Sequence, residues 1–286
     1  MATKEGEKGD GNSFTITIAD GFAFKSFLGF ILKCGFQIVT LVLTPTKVYI
    51  KERSQSDDNI GLYMEFDIKK IHYEFQLQQK EYQINLDLDY IVKNILSTLR
   101  VKHSLEITKK ATQELISASI ISQANLDMGT PDNNFFTPVK RNTSTSNTMN
   151  ELTVKDNEYN IFLSSTDLST ICKSYANKNQ PVIISGYTEG VRFSVLSGDE
   201  DEDGASNRGK VAVRGFIDKE ERIIRYTVPQ KILKKLEKIS SFNKQNSLVY
   251  IYFEKDKPIK FSMNLSYYGT IDLYLDDYSD PDEDEN

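Results

Sequence analysis

The segment KILKKLEK, residues 231–238, determines how the rest of this chain is interpreted. On a helix its lysines fall at i, i+3, i+4 and i+7 and share one face: Lys231, Lys234, Lys235 and Lys238. The opposite face is apolar and can pack on a core: Ile232, Leu233, Leu236 and Ile239. Such a lysine stripe is often only a solvated surface. In an acidic protein it also indicates a partner that carries phosphates.

The net charge of −6 conceals an uneven distribution of 41 acidic and 35 basic residues. Five acids form the run Asp199–Asp203, and seven more lie between Asp276 and Asn286. Without these twelve, 29 acids remain against 35 bases. The body of the protein is therefore mildly basic, and its negative charge is concentrated in two short segments.

Several classes of protein are disfavoured by composition. No run of roughly 18 apolar residues is present, so we expect no membrane partner. The first residues lack the apolar core of a signal peptide, which predicts an intracellular protein. Cys34 and Cys172 are the only cysteines, which excludes a disulfide framework.

The order of predicted elements suggests an internal repeat. Helices are predicted to begin near residues 21, 88, 166 and 229, the third with Thr166 or Asp167 as its cap. Strand-like segments separate them, which predicts an α+β fold. Each helix carries at least one Lys or Arg away from its apolar face. Residues 125–156 lack periodicity and are interpreted as a linker.

Enzymatic chemistry is poorly represented, and we expect neither a catalytic centre nor a cofactor. His72 and His103 have no metal-ligand spacing relative to the cysteines, and no phosphate-binding loop or nucleophile elbow occurs. The acidic runs lack the spacing of a calcium loop, so we expect no metal. A metal-dependent nuclease that uses these runs stays the alternative from the enzyme class. Basic helix faces without interleaved aromatic residues instead favour contacts with nucleic-acid phosphates.

The second half of the chain resembles the proliferating cell nuclear antigen family, the ring-shaped DNA sliding clamps of eukaryotes and their viruses. The resemblance runs through DNEYNIFLSSTDLSTICKSYANKNQPVIISGYTEGVRFSVLSG, residues 156–198. It resumes at KPIKFSMNLSYYGTIDLYLDDYSDPDEDEN, residues 257–286. The first half is similar mainly in its order of elements.

The resemblance implies a two-domain DNA clamp (processivity fold), with antiparallel sheets outside and two helices inside each domain, assembled as a homotrimeric ring. The implied divisions are a disordered tail 1–12, domain one 13–124, a connecting loop 125–156, domain two 157–276 and an acidic tail 277–286.

Site residues are likewise implied by the resemblance. Those facing duplex DNA are Lys25, Lys93, Arg100, Lys173, Lys231, Lys234 and Lys238. The pocket for partner peptides is formed by Leu126, Met128, Pro258 and Tyr274. The contact between subunits pairs an edge strand near Glu114 and Ile116 with one near Val211 and Val213.

Three features depart from the family pattern. Asp276 and Asp277 replace the small residue and proline that usually follow the last strand. The run Asp199–Asp203 is an insertion. The pair Phe135-Phe136 suggests a linker that plugs its own pocket, although the Gln and aliphatic residue of a clamp-binding peptide are missing; the alternative is two rings resting on the surface.

The implied function is a non-enzymatic clamp that encircles duplex DNA and holds DNA polymerase, with a clamp loader and repair proteins as further partners. It would act in the nucleus of a cell, or in the host nucleus or replication factory of a virus. Two alternatives stay open: a subunit of a heterotrimeric checkpoint clamp, and a monomeric viral processivity factor.

Overall fold

A computed structural model of the chain describes residues 11–54, 56, 59–76, 80–100, 103–111, 116–122, 133–137, 160–177, 180–187, 190–195, 211–212, 224–241, 247–254, 257–265 and 268–278. The predicted α+β class is confirmed, because the described residues form mostly antiparallel sheets with few helices. Leu126, Met128, Glu114, Val213 and the run Asp199–Asp203 lie outside the described residues.

The strands are numbered in chain order. The first nine are β1 Ser13–Ile18, β2 Ile38–Leu43, β3 Val48–Arg53, β4 Gly61–Phe66, β5 His72–Gln76, β6 Tyr82–Asp87, β7 His103–Lys109, β8 Ile116–Ser122 and β9 Asn133–Thr137. The others are β10 Asn160–Ser164, β11 Val182–Gly186, β12 Val191–Val195, β13 Val211–Ala212, β14 Ile224–Val228, β15 Leu248–Tyr252, β16 Ile259–Leu265 and β17 Gly269–Leu275.

The helices are α1 Gly21–Lys33, α2 Leu88–Tyr90, α3 Ser165–Tyr175 and α4 Gln230–Leu236. After α2 the chain stays helical through a π turn, Ile91–Ile95, and a 3-10 turn, Leu96–Thr98. The single regular helix predicted from residue 88 to 100 is therefore irregular and shorter. A 3-10 turn, Ile239–Ser241, follows α4.

The described residues belong to two compact units. The first comprises Met1–Gln55, Tyr63–Thr148 and Leu265–Ile271; the second comprises Ser56–Leu62, Met149–Asn264 and Asp272–Asn286. Each unit thus includes a short segment that is distant in sequence from the rest of it.

The first unit contains a five-stranded antiparallel sheet in the order β5-β1-β7-β8-β9 and strands in the order β4-β3-β2-β6. Its core includes side chains from both sets of strands and from α1, among them Ile16, Phe24, Leu41 and Leu105. Tyr268 joins this core with its ring almost fully buried against Phe24 and Phe27.

The second unit contains strands in the order β10-β15-β16-β17 and a four-stranded sheet in the order β13-β12-β11-β14. Its pairing follows that of the first unit. β10 pairs with β15 as β1 pairs with β7, and β11 lies between β12 and β14 as β2 lies between β3 and β6. The repeat suggested by helix spacing is therefore present in the strand topology.

Two strands were not predicted from the sequence. β6 pairs along its whole length with β2. β9 lies inside the predicted linker and pairs antiparallel with β8, from Ile116 opposite Thr137 to Ile120 opposite Asn133. The segment interpreted as a linker, 125–156, thus contains a strand at residues 133–137.

Candidate nucleic-acid interface

Helix α3 positions Lys173 by a capping arrangement at its start. The hydroxyl of Ser164 accepts a hydrogen bond from the backbone amide of Asp167 at 3.0 Å. The same hydroxyl donates a hydrogen bond to the Asp167 carboxylate at 2.7 Å. Ser164 is therefore the N-cap, and the prediction of Thr166 or Asp167 is wrong because the helix begins one residue before Thr166. Leu168, Ile171, Cys172 and Tyr175 are buried. Lys173 lies on the exposed face, in the last turn.

Helix α4 packs on the core through its predicted apolar face. The buried residues are Ile232, Leu233, Leu236 and, just after the helix, Ile239. The opposite face exposes Lys231 and Lys234, and Lys238 is exposed just beyond the helix. Lys238 forms an ion pair with Glu237 at 2.7 Å. Three lysines of the predicted stripe are therefore exposed, whereas the fourth, Lys235, is half-buried, and the helix ends before Lys238.

Helices α3 and α4 lie side by side and antiparallel. The Ser169 hydroxyl donates to the carbonyl of Glu237, at the end of α4, and the Gln230 side chain donates to the carbonyl of Ala176, at the end of α3. The end of α3 that carries Lys173 consequently lies beside the start of α4. The second unit brings Lys173 and the α4 lysines onto one pair of helices.

Cationic side chains also lie on the helical segments of the first unit. The Lys25 ammonium donates to the carbonyl of Ser97 at 3.3 Å, so it faces the end of the second helical segment. Lys93 is paired with Asp89 at 2.8 Å, one helical turn earlier. Arg100 is exposed in a turn where its amide donates to the Nδ1 atom of His103. An exposed ion pair contributes little stability, but it does reduce the local positive charge.

The structure places Pro258 just before β16 and Tyr274 in the neighbouring strand β17. Pro258 is half-buried, and Tyr274 is buried with its hydroxyl 3.5 Å from the carboxylate of Asp272. Because Leu126 and Met128 are outside the described residues, the other predicted wall of the pocket has no description.

Lys260 was missed by the sequence reasoning. Its alternation with Ser262 and Asn264 in β16 suggests an exposed side chain, yet it is only 5% exposed. Its ammonium lies 4.2 Å from the centre of the Tyr252 ring and 3.9 Å from the Asp272 carboxylate. A buried ammonium is stabilised by such partners. The sequence gives no local signal for this cluster.

The predicted edge strand at the subunit contact requires a correction. β9 covers the outer edge of β8, so Ile116 is not at a sheet edge. Val211 belongs to β13, which pairs with β12 on one side and with no described strand on the other. Phe135 and Phe136 lie in β9, opposite Ala118 and Ser117 of the first unit.

The titratable groups provide little chemistry among the described residues. Burial raises the pKa of Cys172 to about 12, and the nearby Glu237 acts in the same direction, so the thiol stays protonated. His72 is exposed and lies 3.1 Å from Glu74.

No group of three or more potential metal ligands occurs in the described part of the chain. Within the same residues, no helix has the length and apolar character needed to cross a bilayer.

An apolar cavity of about 40 Å³ lies in the core of the first unit, bordered by Ile16, Phe24, Leu105 and Ala118. An engineered cavity that binds benzene measures about 150 Å³. The cavity is therefore a packing defect rather than a ligand site.

Comparison with protein-family models and with curated proteins finds no match for this chain.

Proposed function

We propose that this chain is a DNA sliding clamp, a non-enzymatic protein that encircles duplex DNA and keeps a DNA polymerase on its template. The observation that carries the proposal is the repeat. The described strands of the second unit follow the same order as their counterparts in the first unit, and each unit carries Lys or Arg side chains on or beside a pair of neighbouring helical segments.

The proposed mechanism combines topological linkage with weak contacts to phosphates. Lys173, Lys231 and Lys234 would contact the DNA backbone in the second unit, together with Lys238. Lys25, Lys93 and Arg100 would make such contacts in the first unit, where the Ser97 carbonyl engages Lys25 and Asp89 engages Lys93. Such contacts are independent of sequence and weaken as salt rises, which suits a protein that slides.

The proposed ring consists of three chains joined by strand pairing. β9 occupies the same position relative to β7 and β8 as β17 does relative to β15 and β16. We therefore assign the contact between copies to the outer edge of β9 rather than β8, with β13 as its partner. Pairing between subunits would also cover edges that otherwise favour aggregation.

Partner proteins would dock outside the ring, next to Pro258 and Tyr274. A few buried anchors usually dominate the affinity of such peptide interfaces. DNA polymerase, a clamp loader and repair proteins are the proposed partners, in the nucleus or at a site of viral replication.

The deciding experiment combines oligomeric state with retention on DNA. Light scattering should give three times the 32.6 kDa of one chain. A loaded ring should stay on closed circular DNA and leave when the circle is linearised. Replacing Lys231, Lys234 and Lys238 by Glu should abolish stimulated DNA synthesis while the trimer persists.

A matched control replaces Lys47, Lys69 and Lys70, which lie in strand connections of the first unit, by Glu. This variant changes net charge equally and should retain stimulation. Full stimulation by the helix variant would disprove the proposal. A stable monomer that stimulates equally on linear DNA would favour a monomeric processivity factor, and assembly only with other clamp-like chains would favour a checkpoint clamp.

A further inference from the structure

The C-terminal residues of the second unit bind the outer edge of β14. The Thr227 amide donates to the Asp277 carboxylate at 2.7 Å, and the Tyr278 amide donates to the Thr227 carbonyl at 2.9 Å. Asp276 is held in turn by the side-chain amide of Asn59, a residue in the left-handed conformation with φ of 50°. The two aspartates that depart from the family pattern therefore both have partners.

This arrangement resembles half of a strand pair. β14 pairs with β11 on its inner side, and no described strand pairs with its outer side. At Thr227 a carboxylate oxygen stands where a neighbouring strand would offer a backbone carbonyl. The edge is thus shaped for an extended segment.

The edge lies close to the residues proposed to receive partner peptides. The Tyr226 hydroxyl, beside Thr227 in β14, is 2.9 Å from the carbonyl of Lys257, which directly precedes Pro258. Tyr278 follows Tyr274 by four residues, a span of at most roughly 14 Å. A peptide with a side chain against Pro258 and Tyr274 could therefore reach the β14 edge with its backbone.

We propose that the β14 edge is a docking site for an extended peptide of a partner protein, and that Asp277 and Tyr278 occupy it as an internal ligand. The partner segment would replace them by offering a carbonyl or carboxylate oxygen to the Thr227 amide and an N–H to the Thr227 carbonyl. Its recognition would be strand addition to an existing sheet edge. The assignment of this peptide to DNA enzymes rests on the proposed function.

The test uses the full-length chain and its own C-terminal sequence as the probe. A fluorescein-labelled peptide LDDYSDPDEDEN, residues 275–286, is titrated against the natural chain and the double variant Asp277→Ala, Tyr278→Pro. This variant lacks both groups that hold Thr227. We expect it to bind the peptide at least tenfold more tightly, because the edge is no longer occupied in cis.

A matched control carries Ser279→Pro and Asp280→Ala, which repeat the added proline one residue further along the tail and the loss of one charge three residues further along. It should bind the probe as weakly as the natural chain. A probe peptide with Asp277 replaced by Ala and the Tyr278 nitrogen methylated should not bind any of the three. The proposal would be overturned if the natural chain and the double variant bind the probe peptide with equal affinity, or if neither chain binds it.

Hydrogen–deuterium exchange gives a second readout that does not depend on affinity. The Thr227 amide should exchange at least tenfold faster in the double variant and become protected again with saturating peptide. The Ile251 amide, in β15, reports that the fold is intact. Unchanged exchange at Thr227 would overturn the proposal. Neither measurement involves DNA, so the docking edge and the sliding clamp fail or hold independently.

Discussion

The ring of Tyr268 meets the ring of Phe24 edge-on, with the centroids 5.4 Å apart and the planes at 83°. Phe27 lies against the same tyrosine, with centroids 5.7 Å apart, and Phe66 lies against Phe24. Tyr268 is 1% exposed. A residue near the C-terminus thus completes the aromatic core of a unit that is formed mainly by the first half of the chain.

Replacing Tyr268 by Ala should destabilise the first unit by about 3–5 kcal/mol, the usual range for large aromatic residues in cores. Tyr268→Phe should cost less than about 1 kcal/mol, because the hydroxyl makes only a long contact, 3.4 Å, with the carbonyl of Ala23. Urea unfolding followed by near-ultraviolet circular dichroism measures both. Equal losses from the two variants would show that the hydroxyl, rather than ring packing, stabilises the unit.

Gly269 and Gly29 should respond to alanine in opposite directions. Gly269 has φ of 150°, and an added Cβ would overlap the carbonyl oxygen of Glu65, so Gly269→Ala should strongly lower the melting temperature. Gly29 lies inside α1, and a Cβ added there would meet no atom within 4 Å other than those of its adjacent residues and its own helix backbone. Gly29→Ala should therefore stabilise by roughly 0.5–1 kcal/mol. Calorimetry of the two variants measures whether Gly269→Ala lowers the melting temperature and Gly29→Ala raises it.

Glu52 should make stability depend on pH. Burial raises the pKa of Glu52 above its ordinary value, partly offset by the Thr40 amide, which donates to its carboxylate at 2.9 Å. A raised pKa means that the folded state holds the proton more strongly, so this stabilisation is present at pH 4 and lost as pH rises through the folded pKa.

Glu52→Gln should accordingly raise the unfolding midpoint at pH 7.5 more than at pH 4. Glu74→Gln, on an exposed carboxylate of β5, is the control and should change stability by less than about 0.5 kcal/mol at either pH. A midpoint difference between Glu52→Gln and the natural chain that does not vary with pH would contradict the interpretation of Glu52.

Asp89 should limit DNA retention, if the clamp proposal holds, because its carboxylate neutralises Lys93. Asp89→Asn should shift the salt concentration at which loaded protein leaves circular DNA upward, with the logarithmic salt slope steeper by about 0.9. Asp67→Asn, which removes the partner of Lys70 in a turn between strands, is the matched control. An equal shift in both variants would indicate a general charge effect.

Periodicity predicted the helix faces well, because burial along a helix follows the sequence pattern directly. On a helix that begins near residue 21, the 3.6-residue period puts Phe24, Phe27, Leu28 and Ile31 on one side, and all four are buried. The apolar face of α4 was predicted with the same success. Most strands were also recognisable from alternation and flanking turn residues.

Other features leave no comparable local signal. No residue pattern marks the π and 3-10 turns after α2. β9, with the sequence NNFFT, has neither alternation nor β-branched residues apart from Thr137, and becomes a strand through its pairing with β8. The burial of Lys260 beside Tyr252 joins residues on different strands, and the hydrogen bond between Asp277 and Thr227 joins residues that are distant in sequence. Contacts of this kind depend on the complete fold rather than on neighbours in sequence.

Each unit includes a short segment from a distant part of the chain, and this has a consequence for biosynthesis. Multidomain chains commonly fold their N-terminal domain while the rest is still being made. Here the first unit lacks Leu265–Ile271, and the second lacks Asp272–Asn286, until the ribosome has passed Asn264. A nascent chain that stalls or is truncated before that point would expose two incomplete cores to chaperones and proteases.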